Sequence, residues 1–184
     1  MIRYVALLRG VNVGGKNLIK MTELKACFEK RGFHDVATYI QSGNVLFTAD
    51  KRNRAELTSE IEKLLAKTFK YQASIVLRSG KEMRSIVERA PPGFGREPAK
   101  YRYDVFFLKE PLSSAEAMKS VKTREGVDAA HGGKGVLYFS RLISRVTQSQ
   151  INKLVTSPIF KSMTARNWNT TKKLADLLET SKRR

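Results

Sequence analysis

Along the first 78 residues the spacing of apolar side chains switches repeatedly between strand and helix periods, and the order of those switches narrows the fold more than any other feature. Ile2 to Arg9 is a mostly apolar run of strand length. A glycine-bearing loop, Gly10 to Asn17, follows, after which Met21, Leu24, Cys27 and Phe28 recur at helical spacing, with Gly32 where a helix C-cap belongs. Val36 to Ile40 and Asn44 to Thr48 are β-rich runs on either side of Gln41-Ser42-Gly43, which reads as a tight hairpin turn. Asn53 with Glu56 has the form of a capping box, and Leu57, Ile61, Leu64 and Leu65 give the next helix its buried stripe. Ala73 to Leu77 completes the order βαββαβ.

The same order returns after an interruption. Ser79 and Glu82 form a second cap signature, with Met83, Ile86, Val87 and Ala90 as the apolar face of a linking helix. Pro91, Pro92, Gly93, Gly95 and Pro98 make the one Pro/Gly-dense stretch, read as a linker. Beyond it lie a strand from Asp104 to Lys109, a helix capped by Ser113 and Glu116, and strands at Val127 to Ala130 and Val136 to Ser140 around a His131 to Gly135 turn. Thr147 and Gln150 open a short helix, Ser162 to Ala165 supplies a fourth strand, and an amphipathic helix with Leu174, Leu177 and Leu178 ends the chain. The expected fold is α+β: two ferredoxin-like (βαββαβ) subdomains with antiparallel sheets, residues 1–78 and 101–184, joined by a helix and Pro/Gly-rich linker over 79–100, the second carrying the C-terminal helix.

That topology brings distant residues together. With strand three between parallel strands one and two, the loop after strand one and the turn after strand two share one sheet edge. Arg9, Asn12, Lys16 and Asn17 are thereby expected near Gln41, Ser42 and Asn44, and in the second half Lys109 near the His131 to Gly135 turn.

At 184 residues the chain can bury a sizeable core without a metal or disulfide staple, and its single cysteine, Cys27, has no internal partner, which fits a reducing compartment. No apolar run approaches the ~20 residues of a membrane span, and Arg9 cuts the first run short of signal-peptide length, so a cytoplasmic protein without membrane association is expected. Thirty-five Lys and Arg against seventeen Asp and Glu give a net charge of +18, shared by both halves. Such an excess suits nucleic acid or a small anionic ligand as partner; the plainer alternative is a solvated cationic surface.

Chemistry-bearing patterns are few. Gly10 to Asn17 reads G-x-x-x-x-G-K-N, but Asn17 stands where the phosphate-binding loop needs a Ser or Thr hydroxyl for magnesium, and the helical period starts too late for a helix N-terminus. An anion- or partner-binding loop and a structural glycine turn remain as readings. Ferredoxin-like sheets can stack bases on exposed aromatics, and Phe106, Phe107, Tyr138 and Phe139 supply candidates, one of each adjacent pair able to face outward if the other is core; the plainer and favoured reading is ordinary packing, including packing between the halves. Cys27 lies on an apolar helix stripe and reads as a buried thiol. His34 and His131, without clustered carboxylates, suggest neither a metal site nor a cofactor, although His131 in its turn is a candidate acid or base. Arg166-Asn167-Trp168-Asn169-Thr170 reads as a helix start, with Asn167 or Asn169 as N-cap, or as a binding surface.

Three segments, Leu7 to Asn17, Thr38 to Val45 and Arg166 to Thr170, together resemble the bacterial family called domain of unknown function 1697. The resemblance implies two ferredoxin-like subdomains and no particular activity. It singles out Arg9, Asn12, Gly14, Gly15, Gln41, Ser42, Gly43, Asn44, Arg166, Asn167 and Trp168 as a candidate surface; Val11 stands where isoleucine is more usual.

The leading functional expectation is a non-enzymatic binding protein for a polyanion, nucleic acid foremost, acting through Arg9, Asn12, Lys16, Gln41, Asn44 and the general cationic surface. The alternatives are an enzyme or sensor for a small phosphorylated or carboxylated ligand at the same edge, and an assembly protein whose sheets pair with another copy.

Overall fold

A computed structural model describes residues 1–12, 18–50, 53–70 and 72–180. They divide into two compact units, Met1–Met83 with the stretch beginning at Leu174, and Arg84–Lys173.

The first unit runs β1 (Ile2–Leu8), α1 (Met21–Lys30), β2 (His34–Tyr39), β3 (Asn44–Ala49), α2 (Arg54–Phe69) and β4 (Ile75–Ser79). The sheet order is β2-β3-β1-β4 with every adjacent pair antiparallel, which makes β1 and β2 parallel across β3. Strand alternation puts Tyr4, Ala6 and Leu8 on the same face as Val45, Phe47, Ile75 and Leu77. The helices lay Leu24, Phe28, Leu57, Ile61 and Leu65 onto that face. Phe28, Phe33 and Phe47 meet one another at centroid separations of 4.8–5.6 Å, so truncating any of them would open a large cavity. Val5, Leu7, Leu46 and Val76, on the other face, are buried as well. Burial on both faces explains why β1 reads as a continuous apolar run rather than an alternating one.

Local chemistry sets the element ends. The Asn53 side chain accepts hydrogen bonds from the amides of Ala55 and Glu56 at 2.8 and 3.4 Å, starting α2. Ser79 and Glu82 form a reciprocal cap: the Ser79 amide and hydroxyl donate to Glu82 Oε2 at 2.8 and 2.7 Å, and the Glu82 amide donates to Ser79 Oγ at 3.3 Å. This starts α3 (Gly80–Glu88), while Arg54 ties Glu82 to the head of α2 at 2.6 Å.

The second unit contains β5 (Tyr101–Leu108), α4 (Ser114–Lys119), β6 (Asp128–Gly133), β7 (Val136–Leu142), α5 (Ile151–Thr156), β8 (Met163–Asn167) and the first turns of α6 (Trp168–Thr180). Its sheet order, β6-β7-β5-β8, repeats that of the first. The fold is α+β with two ferredoxin-like units. The repeat extends to single hydrogen bonds. Leu8 N–H donates to Gly43 O at 2.8 Å and Leu108 N–H to Gly135 O at 3.0 Å; Arg9 N–H donates to Ser74 O and Lys109 N–H to Ser162 O, both at 2.9 Å. Two buried arginines also correspond: Arg78 on β4 stands opposite Val5, and Arg166 on β8 opposite Val105.

Several boundaries differ from expectation. β5 begins at Tyr101, three residues before Asp104, because Tyr101 pairs with Leu142 and Tyr103 with Ser140. β6 runs on through His131, which pairs with Tyr138, so the turn shrinks to Lys134-Gly135 and His131 is a strand residue. Glycines that read locally as turn formers are here held extended by the ladder with β7. The segment at Thr147 is a 3-10 helix, Ile143–Gln148, separate from α5.

Candidate functional site

At the first sheet's rim, the loop leaving β1 meets the turn leaving β2, as the topology requires. Asn12, in a left-handed conformation (φ 54°), joins them. Its Oδ1 accepts from Ile19 N–H at 2.8 Å, and its Nδ2 donates to Ile19 O at 3.0 Å and to Gln41 O at 2.9 Å. One amide side chain thus closes the loop as a paired backbone residue would and fastens it to the turn. Asn44 does similar work from below. It is fully buried, and its Nδ2 donates to Tyr39 O at 2.9 Å and Ser42 Oγ at 3.0 Å. Gly43 is required between them, since its φ is +70° and a Cβ there would lie 2.9 Å from Leu8 Cβ.

Asn12 and Asn44 therefore shape the rim, while Gln41 is exposed and Arg9 and Ser42 are half-buried there. Two large apolar residues flank it in sequence, Leu18 and Ile40, 76% and 48% exposed, and Ile40 is a β-branched residue held at φ 50°. Gly14, Gly15, Lys16 and Asn17 lie outside the described residues.

Arg166, Asn167 and Trp168 belong to the second unit. Asn167 Oδ1 accepts the Thr170 amide at 2.8 Å and is the N-cap of α6; the alternative cap, Asn169, lies inside the helix. Trp168 is nearly buried, and Phe94 meets its ring edge-on at 5.1 Å. A Cβ on Gly95 (φ +85°) would run into the indole, so the Pro/Gly-rich segment is shaped to fit this ring. Arg166 is buried, its Nη1 donating to Thr164 Oγ1 at 2.9 Å and Ala165 O at 2.8 Å. Burial pushes its pKa down to about 10, which leaves it charged at neutral pH.

The four candidate aromatics of β5 and β7 pack as core, the plainer of their two readings, and offer no stacking surface. Phe106, Phe107, Tyr138 and Phe139 are all at most 3% exposed. Phe106 and Phe139 pack together at 4.6 Å in the core beneath the helices. The Tyr138 hydroxyl donates to Ile86 O at 2.7 Å, and burial pushes its pKa up to about 12. Cys27 is a buried thiol facing Thr68 Oγ1 at 3.4 Å. Among the described residues no three His, Cys, Asp or Glu converge as a metal set, and no helix is long and apolar enough to cross a membrane.

A groove that the sequence did not announce lies in the second unit. It has a volume of about 280 Å³, with Pro91, Pro92, Phe94, Tyr101 and Tyr103 as apolar wall and Glu97, His131 and Ser140 as polar groups. Its sequence signal is the alternating Tyr101-x-Tyr103, which lies just ahead of the strand that periodicity alone starts at Asp104.

The DUF1697 family model, described as a protein of unknown function, matches residues 1–138 and so includes both rim segments but not Arg166 to Thr170. The solved structure of conserved bacterial protein SP0830 from Streptococcus pneumoniae is similar at 28% sequence identity, with a TM-score of 0.85 over 97% of this chain and 99% of that one. No curated protein matches. With the family model matched over most of its length, this chain belongs to the DUF1697 family.

Proposed function

We propose that the protein binds polyanions, nucleic acid foremost, as a non-enzymatic binding protein that uses the rim of the first unit and its surrounding cationic surface. The observation that carries this reading is how the acidic residues are used. Glu82 and Glu116 cap helices; Asp128 accepts the amides of Arg124 and Gln150; Glu62 accepts the amide of Ile75; Asp104 is held between Arg102 and Arg141. Some carboxylates also pair with arginines, as Glu82 and Asp104 do, but even if each of the seventeen neutralised one cation, eighteen of the thirty-five Lys and Arg would remain. The rim adds polar groups that suit phosphate oxygens, Arg9, Ser42 and Gln41, and the sequence adds Lys16 four residues after Asn12.

Random-sequence RNA and DNA binding, followed by fluorescence anisotropy across a salt series, tests the proposal. Affinity should fall linearly on a log-log plot, by about 0.9 per phosphate neutralised on duplex and about 0.7 on single strands. Arg9→Ala and Lys16→Ala should each reduce the slope by about one such contact. Undetectable binding at low salt rejects the reading.

A further inference from the structure

We propose that the groove in the second unit is a stacking pocket for one unpaired nucleobase of a single strand. The inference rests on the polyanion reading for the strand that delivers the base, but its argument comes from a different place in the fold. Tyr103 faces Ser140 across β5 and β7, and His131 faces Tyr138 across β6 and β7. These residues and Tyr101 therefore share the sheet face opposite the helices, the face on which four-stranded RNA-recognition sheets stack bases from their first and third strands. Further along this face Phe107 and Tyr138 are buried, leaving the end at Tyr101 and Tyr103 open.

The rings are held in advance. Phe94 is wedged edge-on against Tyr103, Tyr138 and Trp168 at 4.9, 5.4 and 5.1 Å. The Tyr103 hydroxyl accepts from Glu97 N–H at 3.4 Å, and Tyr101 sits 6.1 Å from Tyr103. An aromatic wall fixed this way loses little freedom on binding. Its size also points to a single ring system, since about 280 Å³ is at the lower edge of the roughly 300–1,000 Å³ found for ligand pockets. Ser140 and His131 offer acceptors and donors to a base edge, and Lys100, 5.2 Å above the Tyr101 ring and 57% exposed, is paired with the similarly exposed Glu97 at 3.8 Å, a contact that a flanking phosphate would compete for. Proline and tyrosine walls also suit proline-rich peptides, but the +18 charge of the chain favours a phosphate-bearing strand.

The test compares a base-bearing oligonucleotide with an abasic phosphodiester strand of equal length, using wild type, Tyr103→Ala and Tyr103→Phe, each checked for folding by circular dichroism. Wild type should prefer the base-bearing strand. Tyr103→Ala should weaken that binding on the order of 5- to 150-fold and leave abasic binding unchanged, and Tyr103→Phe should retain it. If Tyr103→Ala does not fold, photocrosslinking of a 4-thiouridine strand to wild type decides, with adducts expected between Pro91 and Tyr103. Equal binding of abasic and base-bearing strands, or adducts confined to other segments, overturns the stacking pocket while leaving the polyanion reading standing. Capture of a proline-rich peptide with no preference for bases also overturns it. No binding of any strand at low salt removes both.

Discussion

Asn12 shows how a polar residue in a specific motif can serve architecture. Its hydrogen bonds to Ile19 and Gln41 go to backbone atoms, two of them to a single residue seven positions on, so its amide does the work of a strand partner. Replacing it by Ala leaves Ile19 and Gln41 groups to be satisfied by water, and Asn12→Ala should lower stability by about 1–3 kcal/mol in urea denaturation. Gly43→Ala should cost at least as much, because a left-handed L-residue is strained by about 1 kcal/mol and the new methyl meets Leu8 Cβ at 2.9 Å. A value near zero for Gly43→Ala would mean that the turn relaxes freely. Asn44 follows the same logic from a fully buried position, whereas Gln41 is exposed and Arg9 half-buried at the rim, which makes them the positions to alter when binding is the readout.

At the level of elements, capping decides where helices begin. Ser79 with Glu82 and Ser113 with Glu116 each satisfy two orphan amides reciprocally, and both pairs stand out in the sequence because three-residue spacing is all that the motif needs. Glu82 carries a pH dependence. Burial by itself would raise its pKa, but the Ser79 amide and hydroxyl and the Arg54 guanidinium outweigh that, holding it below the ordinary 4.5. A carboxyl depressed in the folded state adds stability that is complete above its unfolded pKa and is lost as pH falls through the folded one. Wild-type stability should therefore decline below about pH 4.5 more steeply than that of Glu82→Gln, measured by denaturant midpoints over an acid series. Parallel curves would show that the Arg54 and Ser79 contacts do not distinguish the two side chains. The β-elements behave differently: the extra residues of β5 and β6 owe their strand state to cross-strand partners on β7.

For the molecule as a whole, charge and repetition dominate. An excess of eighteen positive charges opposes the compact state through self-repulsion, most strongly where ions do not screen it. The melting temperature should rise as sodium chloride is raised from very low to physiological concentration, and rise further with a polyanion present if one binds the folded state. A melting temperature independent of salt would mean that the cations are already paired locally. The two units repeat an architecture down to the strand-end bonds of Leu8 with Gly43 and Leu108 with Gly135, yet present different surfaces: a polar clamp around Asn12 in one, a groove around Tyr103 in the other. Shared bonds of the backbone leave side chains free to diverge.

From the amino-acid order alone came the element sequence, the caps at Asn53, Ser79 and Ser113, the paired ferredoxin-like topology and the meeting of Asn12 with the Gln41 turn. All of these follow from periodicity, from bonds three residues apart, or from the rule that crossovers have one hand, and each is written locally in the chain. Tertiary structure alone decided that His131 belongs to a strand, that Phe107 and Tyr138 are covered on the face opposite the helices, and that Tyr101, Tyr103 and Phe94 wall a groove. Those outcomes depend on which residues of separate strands stand opposite one another and on what covers each face, and neither is encoded in the spacing of near neighbours.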